Sequence, residues 1–134
     1  MLGIREHELY GICTYDDLLI LCKQAAAEAG FSECSCFQSN HEGDIVDRIQ
    51  DAYQACEGIV INPGAYTHTS IAILDALKAV RIPAIEVHIS KIDAREGFRQ
   101  VSYVREACFE TISGMGVDGY RKAIEDMAAH LASL

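Results

Sequence analysis

Two short stretches constrain this chain more than any other feature. Ile59-Val60-Ile61 is wholly apolar, and Ala84-Ile85-Glu86-Val87-His88, introduced by Pro83, is apolar apart from two ionisable residues. Strands this short with no polar face belong to sheets covered on both sides, which are parallel sheets built with crossover helices. Between them, Ile71, Ala72, Leu74, Ala76 and Leu77 recur at helical spacing from roughly Thr69 to Val80. The same alternation holds elsewhere. Thr14-Tyr15-Asp16-Asp17 is a capping box with Asp in place of Glu, opening a helix from Tyr15 to Ala29 that Gly30 stops. Glu33 to Gln38 alternates like a strand. A second helix runs from about Gly43 to Cys56, with Ile45, Val46, Ile49, Ala52 and Tyr53 on one face. Ala107 to Ile112 reads as the last strand, Asp118 to Leu131 as the closing helix, and Ala94 to Ser102 as a short amphipathic helix or ordered loop. The expected fold class is α/β, a doubly wound parallel sheet with right-handed crossovers. Ligands in such folds gather outside the carboxyl ends of the strands. At 134 residues the expectation is one domain, 1–134.

Charge and composition exclude several classes. A net charge of −9 argues against nucleic acid or anionic membrane as partners. It also means that an anionic ligand must be held by local donors, so the few arginines matter. No apolar run approaches the roughly 20 residues that span a bilayer, and the charged N-terminus lacks a signal-peptide pattern, so a cytoplasmic location is expected. The six cysteines include no Cys-x-x-Cys pair. Cys34 and Cys36 place two thiols on one face of a strand with His41 nearby, but no fourth ligand follows at zinc-like spacing, and reduced core thiols are the favoured reading. There is no Gly-rich phosphate loop, no Rossmann glycine fingerprint and no nucleophile elbow.

Four segments carry the polar residues that chemistry needs. Asn62-Pro63-Gly64-Ala65-Tyr66-Thr67-His68-Thr69-Ser70 joins a buried strand to a helix. Thr69 or Ser70 is accounted for equally well as a helix cap, whereas an amide at a strand's carboxyl end, Asn62, is placed to bind a polar substrate. Glu86 and His88 stand at i and i+2 of a strand and share one face. Two ionisable groups there are costly unless they pair or line a site. The pair reads either as a structural ion pair or as an imidazole oriented and kept protonated by a carboxylate, which is what a general acid requires. Arg95 and Arg99 are four apart, on one face of a helix or on a solvated basic surface offset by Glu96. Leu2 to Gly11 is a polar loop with Arg5 and Tyr10, weak taken alone.

Together these segments resemble the type II 3-dehydroquinate dehydratases. The resemblance runs in order through Leu2-Gly3-Ile4-Arg5 to Tyr10-Gly11, Phe37-Gln38-Ser39-Asn40-His41-Glu42-Gly43, Ile61-Asn62-Pro63-Gly64-Ala65-Tyr66-Thr67-His68-Thr69-Ser70, and Glu86-Val87-His88-Ile89-Ser90 with Ala94-Arg95-Glu96 and Phe98-Arg99. It implies a flavodoxin-like fold, trimers assembled into a dodecamer, no metal or organic cofactor, and anti elimination of water from 3-dehydroquinate through an enolate to give 3-dehydroshikimate. By position it implies Tyr10 as general base, with Arg5 and Arg95 stabilising its anion, and His88 as general acid, oriented by Glu86 and Asn62. Ile89 and Ser90 would hold the substrate carboxylate, His68 and Arg99 ring hydroxyls, and Asp75 would reach a neighbouring subunit's site.

The sequence departs from the family at His7, Lys91, Asp93, Gly97 and Leu74, where the family has Pro, Asn, and often His, Glu and Arg. The family's first, central strand and its Gly-Pro-Asn-rich turn precede Leu2-Gly3 and are missing from this sequence. The reading favours a start that falls late over a natural four-stranded enzyme. The runner-up is a homologue with impaired activity serving as a binding or assembly protein. A flavodoxin-like signalling or nucleotide-binding domain ranks last, since no phosphate loop is present.

Overall fold

A computed structural model of the chain describes residues 13–91, 97 and 101–134. Among these residues three parallel strands form a sheet in sequence order: β1 (Ile59–Ile61), β2 (Ala84–His88) and β3 (Glu110–Ser113). Helices α1 (Tyr15–Glu28) and α4 (Asp118–Ala132) cover one face, α2 (Glu42–Asp51) and α3 (Ile71–Val80) the other. The α/β reading and its parallel sheet hold.

Every residue of the central strand β2 is buried. Its period of two divides it between two cores. Ile85 and Val87 face Ala123 and Met127 of α4, while Ala84 joins Ile73, Ala76 and Leu77 of α3. Each such aliphatic side chain contributes about 1.5–3 kcal/mol on burial. Glu86 and His88 share the Ala84 face, so two polar side chains are driven into the α3 side of the sheet.

The helix signals act as the sequence states them. Thr14 Oγ1 accepts from Asp17 N and the Asp17 carboxylate accepts from Thr14 N, both at 3.1 Å, closing the capping box on α1. The cap of α3 is Ser70, whose Oγ accepts from Ile73 N at 2.9 Å and donates to Glu42, so α3 starts at Ile71 and not at Thr69.

Three expectations need correction. Glu33–Gln38 joins no ladder among the described residues, although it keeps its alternation: Cys34 and Cys36 turn inward onto the α1 core, with their Sγ atoms 3.9 Å apart, while Ser35 and Phe37 are exposed. Alternation reports a two-faced environment, and the neighbouring backbone that makes a strand is a separate requirement. Helix α2 ends at Asp51, since Ala52–Cys56 folds back on itself, with Ala55 and Cys56 donating to Ala52 O and Gln54 at φ 61°. The last strand begins at Glu110, because Val104–Ala107 forms a 3-10 turn first.

Helix α4 approaches closely at Gly58, where an added Cβ would lie 2.7 Å from Met127 Sδ, a side chain itself only 2% exposed. Gly58→Ala is therefore expected to destabilise the fold by about 1–3 kcal/mol, the usual cost of overpacking a filled core. A urea midpoint equal to wild type would contradict this.

Candidate active site

The residues that carry chemistry collect where β1 and β2 end. Glu86 is fully buried and receives several donors. Thr67 Oγ1 and Ser102 Oγ (2.7 Å) donate to its Oε2, and Thr111 Oγ1 reaches Oε1 at 3.2 Å. The ladder register explains Thr111, which stands directly beside Glu86 on β3. His88 Nε2 lies 2.8 Å from the same Oε2. Burial pushes the Glu86 carboxyl up, but hydrogen bonds from His88, Thr67 and Ser102, with the charge of His88, outweigh it and hold the group at about 2. The carboxylate is ionised and can only accept. Nε2 of His88 therefore carries the proton shared with it, and Nδ1 is the ring's second nitrogen. The i, i+2 spacing places these two groups together, as the sequence indicates.

Asn62 sits at the carboxyl end of β1 but does not reach His88. Its Nδ2 donates to Tyr120 Oη at 2.8 Å, and its Oδ1 accepts from Gly64 N at 3.0 Å. Glu86 holds the imidazole. The amide instead fixes the turn into the 3-10 helix Gly64–His68 and ties it to α4. Tyr120 is pushed up to about 12, burial outweighing the Asn62 hydrogen bond, and stays a neutral phenol.

His68 directs Nδ1 to Val101 O at 2.5 Å, leaving Nε2 as its second polar atom. Ile89 and Ser90 follow β2 directly; Ile89 O accepts from Gly116 N at 3.0 Å, which fixes the backbone at the strand's end. Asp75 is exposed on α3. Tyr10, Arg5, Arg95 and Arg99 lie outside the described residues, as does most of the segment from Ala94 to Ser102.

Among the described residues, no group of three or more His, Cys, Asp and Glu is arranged to hold a metal ion, and no helix is long and apolar enough to cross a membrane. A shallow depression beside Phe37, Arg48, Asp44, Asp47 and Asp51 has three carboxylates on its wall, the wrong sign for an anion, and includes neither Glu86 nor His88. Thr67, Ser102 and Thr111 carry no mark in the sequence that singles them out. The signal that points to them is the burial of Glu86 itself, since a carboxylate in an apolar strand demands donors.

The family model for class II dehydroquinases matches residues 1–128. This chain belongs to that family. The 3-dehydroquinate dehydratase of Rhodopseudomonas palustris (strain BisA53) is 54% identical over 132 residues, 98% of this chain and 87% of its own length. Among solved structures, the type II dehydroquinase of Butyrivibrio crossotus DSM 2876 superposes with a TM-score of 0.90 at 48% identity, covering 94% of this chain and 88% of its own. That of Propionibacterium acnes also reaches 0.90, at 40% identity, over 96% and 88% respectively. A buried, carboxylate-held imidazole at the end of the central strand is thus set in a dehydroquinase fold.

Proposed function

We propose that this chain is a 3-dehydroquinate dehydratase, a hydro-lyase of the shikimate pathway. It removes a proton from C2 of 3-dehydroquinate and the hydroxyl from C1, with anti geometry through an enolate, giving 3-dehydroshikimate and water. The observation that supports this most is the Glu86–His88 pair at 2.8 Å, a proton donor poised at the carboxyl end of a buried strand, in a chain half identical to enzymes of that name.

In this reading His88 Nδ1 delivers the proton that lets the hydroxyl leave as water, and Glu86 keeps the imidazole in the orientation to do so. Tyr10 removes the C2 proton, with Arg5 and Arg95 holding its phenolate. Ile89 and Ser90 bind the substrate carboxylate, and His68 and Arg99 ring hydroxyls. Asn62, at the turn it fixes, helps to orient His88 and to bind the substrate. The exposed Asp75 completes a neighbouring copy's site, in trimers that assemble into a dodecamer. The chain acts as one domain, 1–134, in the cytoplasm, without metal or organic cofactor.

The product is a conjugated enone, so purified protein mixed with 3-dehydroquinate should show absorbance growing in the near ultraviolet. A flat trace from folded protein would reject the enzyme reading in favour of an inactive relative.

A further inference from the structure

Glu86 orients His88, and Glu86 must itself be oriented to do so. A carboxylate on a strand has two soft torsions beyond Cβ, and a single imidazole partner leaves it free to turn. The structure supplies two hydroxyls that remove this freedom. Thr67 is fully buried and Ser102 is 7% exposed. Both contact Glu86 Oε2, the oxygen that also holds His88 Nε2, and they lie 2.6 Å from each other. Each hydroxyl has one proton, so the pair delivers two hydrogen bonds among three contacts, either both to Glu86 or in a relay through Thr67.

The hydroxyls are themselves fixed by backbone. Ser102 Oγ accepts from Arg105 N at 3.1 Å, and Thr67 O accepts from Tyr103 N at 2.8 Å. Residues from three places in the chain, the 3-10 helix after β1, strand β2 and the segment before the second 3-10 turn, therefore converge on one oxygen atom. A merely structural burial of Glu86 would be served by donors to either oxygen. Crowding them on the atom that binds His88 fixes the direction of that one contact. Cys108 feels the Glu86 charge: burial and then that charge push its thiol up to about 12, so it stays neutral and adds no competing charge.

We propose that Thr67 and Ser102 are positioning residues for the protonation step: their hydroxyls lock the Glu86 carboxylate as an acceptor, which locks His88 with Nε2–H inward and Nδ1 toward the leaving hydroxyl. This rests on the dehydratase reading for its rate consequence, though not for the tautomer it fixes.

The test uses the full chain carrying Thr67→Val, Ser102→Ala or the conservative Thr67→Ser. Turnover of 3-dehydroquinate is measured, and the His88 ring nitrogens are read by solid-state NMR of protein labelled with 15N-histidine, with His88→Gln assigning the signals. Thr67→Val and Ser102→Ala should each lower kcat about 10- to 100-fold, part of the roughly 10²–10⁴ that a placed acid supplies, with KM within about threefold. Both should mix a second His88 tautomer into a spectrum that shows one in the wild type, and Thr67→Ser should restore both readouts. Either readout unchanged in Ser102→Ala overturns the proposal, and that variant decides alone if Thr67→Val does not fold. A wild type without turnover would sink the dehydratase reading instead, and the tautomer comparison would then decide this one.

Discussion

Glu86→Gln is expected to lower turnover by at least about two orders of magnitude and to blunt the protein's sensitivity to acid. The side chain keeps its shape but not its role. A glutamine offers one acceptor oxygen and two N–H donors where Thr67, Ser102, Thr111 and His88 now converge on a carboxylate. At least one of these groups must reverse its hydrogen bond or lose it, a cost of about 1–3 kcal/mol for a buried group left unsatisfied. The imidazole also loses the acceptor that sets its orientation, so the acid is misaligned. General acids in position contribute roughly 10²–10⁴ in rate, and most of that should go.

The pH consequence has a definite sign. The folded Glu86 carboxyl stands at about 2 against an ordinary 4.5. A depressed carboxylate adds stability that is fully present above pH 4.5 and disappears as pH falls toward 2. The difference corresponds to about 3 kcal/mol, with no discount for solvent because Glu86 is fully buried. Glu110 works in the other direction: burial and then the neighbouring Asp126 raise it to about 7, so on its account stability grows as pH falls from 7 toward 4.5. Urea midpoints at pH 6.5, 4.5 and 2.5 separate the two. Between the last two values the wild type should lose stability that Glu86→Gln does not. Equal losses in both proteins would show that Glu86 does not set the acid sensitivity, and a variant turning over at the wild-type rate would show that it does not hold the acid.

The sequence could be read well where one residue's neighbours along the chain decide its state. The capping box at Thr14 and Asp17 and the shared face of Glu86 and His88 depend on spacings of two to four residues, and the structure reproduces each; Ile59–Ile61 forms the expected strand but is only half-buried. It failed where the deciding partner is remote. Cys34 and Cys36 alternate as in a strand, but whether a ladder forms depends on backbone from elsewhere. The Asn62 amide pairs with Tyr120, 58 positions away, a partner that no local spacing announces. Ser102 bonds Glu86 across 16 positions and Thr111 across 25, and no local pattern marks a lone Ser or Thr as a carboxylate's partner. What could be inferred was the need: a buried charge in a parallel sheet requires donors, whichever segment supplies them.

Tyr10→Phe should reduce turnover about a thousandfold, and Arg5→Ala nearly as far, while both proteins fold. The elimination needs a base strong enough to take a proton next to a ketone and present in its basic form at neutral pH. A phenol of ordinary pKa about 10 is ionised one time in a thousand at pH 7, so the site must lower it by about three units, or roughly 4 kcal/mol. One guanidinium at about 4 Å supplies about that much at an effective dielectric near 20. A second leaves margin for the desolvation of the phenolate. Arginine suits this task because it keeps its own proton beside a phenolate, where a lysine could surrender it. A chain of net charge −9 holds Arg5, Arg95 and Arg99 within its matched motifs, and on the proposed reading they set a positive field against that background. The two variants should differ in form. Tyr10→Phe removes the proposed base at every pH, whereas Arg5→Ala leaves a phenol of higher pKa, so its kcat should climb with rising pH until the phenol ionises. An Arg5→Ala profile parallel to wild type would mean that the arginine binds substrate and does not tune Tyr10. A Tyr10→Phe protein within tenfold of the wild-type rate would mean that another group takes the C2 proton.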